Sequence, residues 1–190
     1  MGKVSEYRNK YRIIGGDWRG RRLAFPSIDG LRPSPDRVRE TLFNWLQPHV
    51  QAANCLDLFA GSGALGFEAL SRGAAQATFV DSQQGCIDAI KANLERVEAV
   101  SKGSTIHMDA LTYLAQAPGR FDIVFLDPPY QSGLLQAVLS ALENSTLLHA
   151  GSKIYLESAA GQAPALPDGW TMRRSKRAGN VGYHLAEVDA

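Results

Sequence analysis

The stretch LDLFAGSGALG, residues 56–66, decides the fold class of this chain. It reads as a short apolar strand that runs into a glycine-rich turn and then a helix, which stops at Gly73. The glycines of a G-x-G-x-x-G pattern, which let a ligand approach the backbone closely, are Gly61, Gly63 and Gly66. Asp81 ends the next apolar run, where such folds place an acid on ribose hydroxyls. The stretch therefore predicts a nucleoside-containing ligand at a strand–helix turn.

Asp57 narrows the choice of ligand. It lies inside the predicted strand, four residues before Gly61. A carboxylate at that position would repel a pyrophosphate, but it suits a ligand with a cationic amino group. S-adenosylmethionine has an ammonium group and a ribose and no phosphate. The position of Asp57 thus favours S-adenosylmethionine over a nicotinamide dinucleotide.

A second motif, DPPY at residues 127–130, follows the apolar run of residues 121–126. The carboxyl end of a strand is the edge at which open α/β sheets bind ligands. Because Pro128 and Pro129 have fixed φ angles and no N–H, the loop is stiff and its carbonyls are free to accept hydrogen bonds. Such a corner suits a planar base with an exocyclic amino group, with Tyr130 stacked on it. The alternative is a proline-rich turn in which Asp127 acts only as a cap.

The two motifs, in this order and about seventy residues apart, resemble the class I S-adenosylmethionine-dependent methyltransferases that methylate amino groups. Three further stretches, GGDWRGRRL at 15–23, RPSPDRVRETLFNWL at 32–46 and EALSRGA at 68–74, resemble the RsmD family. The resemblance covers essentially the whole chain. It implies methylation of N2 of one guanine in 16S ribosomal RNA. Asp81 stands where many relatives carry Glu, and both acids can bind a ribose diol.

The resemblance also implies roles for individual residues. Residues of the glycine-rich turn should bind the methionine portion, Asp81 the ribose and the Asp109 region the adenine. The implied cofactor-binding residues are Ser34, Arg39, Asp57, Phe59, Gly61, Ser62, Gly63, Asp81, Ser82, Asp109 and Ala110. The implied catalytic residues are Asp127, Pro128, Pro129 and Tyr130. Alternatives stay open for Asp109, which suits a helix N-cap, and for Arg39, which suits a solvated helix face.

The first forty residues are basic. They hold ten Lys and Arg against five Asp and Glu, a balance of +5 in a chain whose net charge is +1. Guanidinium groups bind phosphate bidentately, and the interleaved Tyr7, Tyr11 and Trp18 suit stacking on unpaired bases. The predicted RNA-binding residues are Arg8, Lys10, Arg12, Trp18, Arg19, Arg21, Arg22 and Arg32. The alternative is a solvated basic surface. A second basic cluster, residues 173–177, is open to both interpretations.

Strands and helices alternate after residue 50. We expect strands near 54–59, 76–81, 104–108, 121–126 and 152–157, helices near 63–72, 83–99, 110–117 and 132–144, and a final hairpin of 169–177 and 180–188. A hairpin of residues 11–14 and 21–25 and a helix over 35–47, capped by Ser34, precede them. The pattern predicts an α/β fold, a Rossmann-like, mostly parallel doubly wound sheet of seven strands. It forms one domain, with an arm and helix at 1–48 and a catalytic core at 49–190.

The composition of the chain indicates its domain organisation, its cell compartment and whether it binds a metal. The chain has 190 residues, of which 45% are apolar, as a single domain with a sizeable core requires. Cys55, Cys86 and the four His have no metal-ligand spacing, so we expect no metal. The chain shows no secretory or acylation pattern and no membrane span, which predicts a cytoplasmic protein. Its expected partner is 16S ribosomal RNA within the small ribosomal subunit, and a monomer is the default.

Two other functions stay open from the residues alone. DPPY also occurs in adenine-N6 methyltransferases that act on DNA or RNA. The length argues against a DNA enzyme, because the core and the arm use the whole chain and leave no target-recognition domain. The third hypothesis is a non-catalytic module that binds S-adenosylmethionine or RNA. An intact DPPY argues against it, since a binding module has no need of an amine-binding carboxylate.

Overall fold

Strands and helices alternate along the chain as predicted, after a short N-terminal hairpin. The computed structural model describes residues 7–129 and 133–190. Its strands are β1 (Asn9–Arg12), β2 (Arg22–Phe25), β3 (Asn54–Asp57), β4 (Gln76–Asp81), β5 (Gly103–His107), β6 (Ile123–Leu126), β7 (Lys153–Ala159), β8 (Trp170–Ala178) and β9 (Val181–Val188). Its helices are α1 (Asp36–Leu46), α2 (Ala64–Ser71), α3 (Gln84–Arg96), α4 (Ala110–Gln116) and α5 (Leu134–Glu143).

The main sheet has seven strands within the described residues, in the order β5-β4-β3-β6-β7-β9-β8. The neighbours from β5 to β7 are parallel, and β9 is antiparallel to both β7 and β8. The chain leaves β3 towards β4 and β5 and then returns to form β6 on the other side of β3. This reversal creates a crevice at the carboxyl ends of β3 and β6, where such sheets bind ligands. The predicted fold class is confirmed.

The apolar run before DPPY is buried on both faces of the sheet. Ile123 and Phe125 of β6 belong to one hydrophobic cluster, and Val124 and Leu126 belong to a second cluster. All four side chains are fully buried. A continuous apolar run is typical of a central parallel strand, because helices cover both of its faces. The burial of β6 on both faces holds the residue that follows it, Asp127, at the edge of the sheet.

The N-terminal hairpin packs into the core. β1 and β2 pair in antiparallel register, which confirms the predicted hairpin. Ile13, Leu23 and Phe25 belong to the same buried cluster as residues of α1 and α2. Asn93 of α3 donates to the carbonyl of Ala24 at 2.7 Å and accepts its N–H at 3.3 Å. The hairpin is therefore part of the folded core, and a division of the chain near residue 48 stays a prediction.

Candidate active site

A cavity of about 740 Å³ opens at the carboxyl ends of β3, β4, β6 and β7. Its volume lies in the range of small-molecule sites. The glycine-rich turn forms its floor, and residues 28–35, between the hairpin and α1, contribute one wall. The predicted residues that line it are Arg32, Ser34, Asp57, Phe59, Gly61, Ser62, Asp81, Ser82, Asp109, Ala110, Asp127, Pro128 and Pro129.

Asp57 ends β3 and reaches across the glycine-rich turn. Its Oδ2 accepts the N–H of Gly66, in the first turn of α2, at 3.0 Å. Burial raises the pKa of Asp57 to about 7; the Gly66 N–H lowers it and the charge of Asp81 raises it. Gly66 has no room for a side chain, because an added Cβ would lie 2.2 Å from Phe79 Cε1. The absence of a side chain at Gly66 therefore allows α2 to pack closely on β4. In this position the Gly66 N–H reaches Asp57, which lines the cavity.

Asp81 binds the opposite side of the same turn. Its carboxylate accepts the N–H of Gly61 at 2.7 Å and the N–H of Gln83 at 2.8 Å. Gly61 has a φ of +50°, in the left-handed region that favours glycine. Asp81 and Ser82 both line the cavity at the end of β4. Two acids from neighbouring strands, Asp57 and Asp81, therefore hold the turn from two sides and face the same space.

Asp109 caps a helix, which is the alternative to cofactor binding that the sequence leaves open. It is the N-cap of α4, and its Oδ1 accepts the N–H of Thr112 at 2.9 Å. Hydrogen bonding by Thr112 lowers the pKa of Asp109. The residue also lines the cavity, together with the buried Ala110. Capping and a place at the cavity are compatible, because the cap uses only one carboxylate oxygen.

Asp127 and Glu157 are neighbours at the carboxyl end of the sheet, and both line the cavity. In the parallel register of β6 and β7, Leu126 is opposite Leu156, so the residues that follow them are neighbours. Burial, and then the charges of Glu157 and Asp57, raise the pKa of Asp127 well above its usual range.

Glu157 is a site residue that the sequence interpretation missed. It is buried, it lines the cavity, and its Oε1 accepts the hydroxyls of Tyr155 at 2.7 Å and Ser34 at 3.1 Å. Ser34 therefore does not cap α1, whose N-cap is Pro35 without a side-chain bond. One signal was available: Glu157 ends the predicted strand 152–157, as Asp127 follows the strand 121–126. Acids at the ends of adjacent parallel strands meet at one edge.

Two predicted cofactor-binding residues, Arg39 and Gly63, lie outside the cavity lining. Arg39 lies outside the cavity lining and is fully buried, so neither cofactor contact nor a solvated helix face describes it. Its guanidinium contacts Glu68 Oε2 at 3.4 Å, Asp36 Oδ1 at 2.6 Å and two backbone carbonyls. Gly63 is the N-cap of α2 and does not line the cavity. Tyr130 lies outside the described residues.

The basic residues of the arm form an exposed surface. The exposed members are Arg8, Lys10, Arg12, Arg19, Arg21, Arg22 and Arg32. Arg12 pairs with Asp36 at 3.2 Å, and Arg32 reaches the cavity wall. Trp18 is partly buried, with its ring edge-on to Phe67 at a centroid distance of 6.5 Å.

Tyr11 corrects the predicted aromatic part of this surface. Its ring is buried beneath the Arg39 guanidinium, 5.4 Å from the ring centroid, so the prediction that it stacks on bases is wrong. In the C-terminal basic cluster, Arg173, Arg174, Lys176 and Arg177 are all exposed on the edge strand β8. A register shift between Met172 and Arg174 interrupts the simple alternation expected there.

Neither a metal centre nor a membrane span is evident. Across residues 7–129 and 133–190, no group of three or more His, Cys, Asp and Glu side chains could hold a metal ion. No helix in that part of the chain is both long enough and apolar enough to cross a membrane.

The strand order, the glycine-rich turn between two acids and the cavity at the switch point define the class. The fold is that of the class I S-adenosylmethionine-dependent methyltransferases. A family model, described as "Conserved hypothetical protein 95", matches residues 11–187. The chain belongs to this family, that of ribosomal RNA small subunit methyltransferase D.

Relatives of known name and structure agree with this assignment. The chain is 46% identical to ribosomal RNA small subunit methyltransferase D of Escherichia coli strain K12, over 94% of this chain and 90% of that protein. It is 41% identical to the Haemophilus influenzae protein of the same name, over 94% of each chain. The solved structure of the Escherichia coli protein yhhF superposes with a TM-score of 0.88, is 45% identical, and covers 96% of this chain and 99% of that one.

Proposed function

We propose that this chain methylates the N2 amino group of one guanine in 16S ribosomal RNA. By its family it is an S-adenosylmethionine-dependent ribosomal RNA methyltransferase, and the proposal concerns the base and the atom. One observation carries the proposal: Asp127 and Pro128 lie in the same cavity as Asp57 and Asp81. A single cavity thus combines acceptors for an amino group with acids suited to a nucleoside ligand.

The residues of the glycine-rich turn fit the cofactor. Asp57 is a buried carboxylate suited to an ammonium group, and Asp81 is a half-exposed acid suited to ribose hydroxyls. Gly61 and Ser62 line the cavity, and because their side chains are small, a ligand can approach their backbone closely. Asp109 and Ala110 lie where an adenine edge would be bound. We assign these residues to the cofactor, and we withdraw Arg39 from the set.

The reaction has to overcome a weak nucleophile. The lone pair of guanine N2 is delocalised into the ring, and it has to become available for attack on carbon. S-adenosylmethionine would supply an electrophilic methyl group on a sulfonium and leave as S-adenosylhomocysteine when its sulfur–methyl bond breaks, and the methylated nitrogen would then lose one proton to solvent. The Asp127 carboxylate and the Pro128 carbonyl each accept one N–H of the amine, which favours a tetrahedral nitrogen and stabilises the developing positive charge. The stiff Pro128–Pro129 backbone holds both acceptors in place. We attribute the remaining rate enhancement to the alignment of the amine nitrogen with the methyl group.

Arg32 is the predicted RNA-binding residue that lines the cavity, and the arginines of the hairpin are exposed to solvent. We propose that these arginines bind the phosphates of the RNA around the target base. The target base has to be unpaired or flipped to enter, because an A-form duplex buries its edges. We propose the assembled small ribosomal subunit as the substrate and a monomer as the active form. Such a substrate implies a cytoplasmic enzyme.

Two other functions are outcomes of the same test. An adenine-N6 methyltransferase would use Asp127 and Pro128 in the same way, and the label would then appear in N6-methyladenosine. A non-catalytic module would bind the cofactor and leave every nucleoside unlabelled. Asp127 is buried next to a second acid, which costs free energy in a protein that only binds RNA.

The test is a product analysis. Small subunits from a strain that lacks the gene are incubated with the protein and labelled S-adenosylmethionine, and the RNA is digested to nucleosides. We expect label in N2-methylguanosine, at one position of 16S ribosomal RNA that oligonucleotide mapping then identifies. Label in another nucleoside contradicts the proposed base, and the absence of label with bound cofactor contradicts the enzyme.

Asp127→Ala is the matched catalytic variant for this assay. It removes one acceptor of the amine and should lower kcat by about a hundredfold or more, as the loss of a charge-stabilising group does. The affinity for S-adenosylhomocysteine, measured by calorimetry, should change only a few-fold, because Asp127 faces the base in this proposal. Equal losses of turnover and cofactor affinity would instead assign Asp127 to the cofactor site.

A further inference from the structure

Glu157 has the properties of a residue that binds a ligand. It is a buried acid at the end of β7, it lines the cavity, and it stands beside Asp127. Its Oε1 is held by the hydroxyls of Tyr155 and Ser34, at 2.7 and 3.1 Å. These donors come from β7 itself and from the N-terminal segment, so they hold the carboxylate in one orientation. The proposed reaction assigns no role to this oriented carboxylate.

Asp127 and Glu157 present two neighbouring acceptors to the cavity, because they follow the paired residues Leu126 and Leu156 of β6 and β7. A carboxylate oxygen accepts hydrogen bonds, so each acid can take one N–H donor of a ligand. A ligand with two adjacent N–H donors would match this pair of acceptors.

The Watson–Crick edge of guanine has that pattern. Its N1–H and its N2 amino group are neighbouring donors that point in the same direction. Adenine presents its N6 amino group next to N1, which is an acceptor and would face a carboxylate lone pair. Enzymes that act on a flipped base read it by hydrogen bonds to this edge.

We propose that Glu157 is the residue that selects guanine, by accepting its N1–H while Asp127 and Pro128 accept its N2 amino group. Ser34 and Tyr155 are positioning residues, which act by orienting the Glu157 carboxylate. This inference rests on the proposed function, because it assigns the base specificity of the same cavity. Ser34, which the resemblance implied to be a cofactor-binding residue, is thereby assigned to the part of the cavity that binds the base.

A base analogue separates this role from a structural one. 2-Aminopurine keeps the N2 amino group of guanine, and its N1 is an acceptor without a hydrogen. The substrates are small subunits reconstituted with 16S ribosomal RNA that carries guanosine or 2-aminopurine riboside at the mapped position. The wild-type protein should prefer guanosine in kcat/KM by at least about a hundredfold, since a buried carboxylate is left unpaired against the analogue.

Glu157→Gln is the decisive variant. Its side chain keeps an oxygen for the Tyr155 and Ser34 hydroxyls and replaces the other oxygen by an amide donor. We expect a loss of about a hundredfold in kcat/KM for guanosine and little loss for 2-aminopurine, so that the preference falls to within about tenfold. The affinity for S-adenosylhomocysteine should stay within a few-fold of wild type, which also reports that the variant is folded.

Ser34→Ala is a second variant that keeps the test valid if Glu157→Gln unfolds. It removes one donor to Glu157 and should reduce the preference for guanosine by about tenfold while cofactor affinity stays unchanged. A wild-type preference that neither variant alters would overturn the inference and leave N2-methylguanosine as the product. A wild-type protein that makes no N2-methylguanosine at all would instead overturn the proposed function. A loss of cofactor affinity in Ser34→Ala would return Ser34 to the cofactor site and contradict its positioning role.

Discussion

Asp57, Asp127 and Glu157 place three acidic side chains at one edge of the sheet, and burial changes the pKa of two of them, Asp57 and Asp127. Burial raises the pKa of Asp57 to about 7 and raises that of Asp127 well above its usual range. A carboxyl group with a pKa near neutrality changes its charge under ordinary assay conditions. In the proposed site, Asp57 has to be ionised to bind the ammonium group of the cofactor. Cofactor binding should therefore depend on pH.

We expect the affinity for S-adenosylhomocysteine, which has the same amino group, to rise between pH 6 and pH 7.5. A raised pKa means that the protonated form persists to higher pH, so the ionised fraction grows from about a tenth to about three quarters over this interval. If only the ionised form binds well, the dissociation constant should fall by about fivefold to tenfold. Calorimetry in two buffers of different ionisation enthalpy should show proton release on binding at pH 6.

Asp57→Asn is the control, since it keeps an oxygen for the Gly66 N–H and has no charge to titrate. Its affinity should be lower and nearly independent of pH over this range. The same pH dependence in the variant and the wild type would assign the titration to another group, such as Asp127.

The N-terminal hairpin is attached to α2 by a buried acid. Glu68 is fully buried and accepts the N–H groups of Ile14 and Gly15 at 2.9 and 2.8 Å. It also pairs with Arg72 at 2.8 Å and with the fully buried Arg39 at 3.4 Å. Four donors from three elements thus depend on one carboxylate. The arrangement ties the hairpin, which carries the proposed RNA-binding residues, to the helix that follows the cofactor turn.

Glu68→Ala should lower the free energy of unfolding by about 3–5 kcal/mol. The variant leaves the N–H groups of Ile14 and Gly15 without their acceptor, and it removes one of the two carboxylates that contact the buried Arg39 guanidinium, which costs more than the pair itself contributes. Urea unfolding followed by circular dichroism measures the change. The control is Glu95→Ala on the exposed face of α3, which should stay within about 0.5 kcal/mol of wild type. A loss below about 1 kcal/mol for Glu68→Ala would show that the hairpin attachment relies on its apolar contacts instead.

At the scale of the whole molecule, positive charge is concentrated in the N-terminal part of the chain. Residues 1–40 carry a formal charge of +5 in a chain of net charge +1, so the remainder carries −4. Exposed Arg19, Arg21 and Arg22 belong to the hairpin, while Lys102 and Arg120 stand before β5 and β6, at the amino ends of parallel strands and so at the edge opposite the cavity. A concentration of positive charge in the arm attracts an RNA phosphate backbone.

The triple variant Arg19→Gln, Arg21→Gln and Arg22→Gln should weaken binding to the small subunit and flatten its salt dependence. Each lost phosphate contact should reduce the log–log slope by about 0.7–0.9 units. The double variant Lys102→Gln and Arg120→Gln changes charge on the opposite edge and should leave the slope unchanged. Equal slopes for the two variants would mean that the arm acts only through net charge. Substitution is preferred to deletion here, because Ile13 and Leu23 belong to the core.

The sequence by itself determined the local elements and the motifs of the cofactor turn and DPPY loop. Residues 56–66 contain the strand, the turn and the start of the helix in consecutive positions. An apolar run, a glycine or a cap affects residues that are only a few positions away in the chain. The whole-chain resemblance was readable for the same reason, since its motifs are contiguous. The N-cap role of Asp109 was readable as well, because an N-cap and its helix are neighbours in the chain.

Only the tertiary structure decided how residues distant in sequence combine. Glu157 meets Asp127 through the register of β6 and β7, and it meets Ser34 across 123 residues of chain. Arg39 and Tyr11 have the composition of a basic aromatic surface, yet both are buried because the hairpin folds back onto α2. Burial and charge pairing depend on which elements pack together. That packing is set by the sum of many apolar contacts, and no single stretch of the chain contains it.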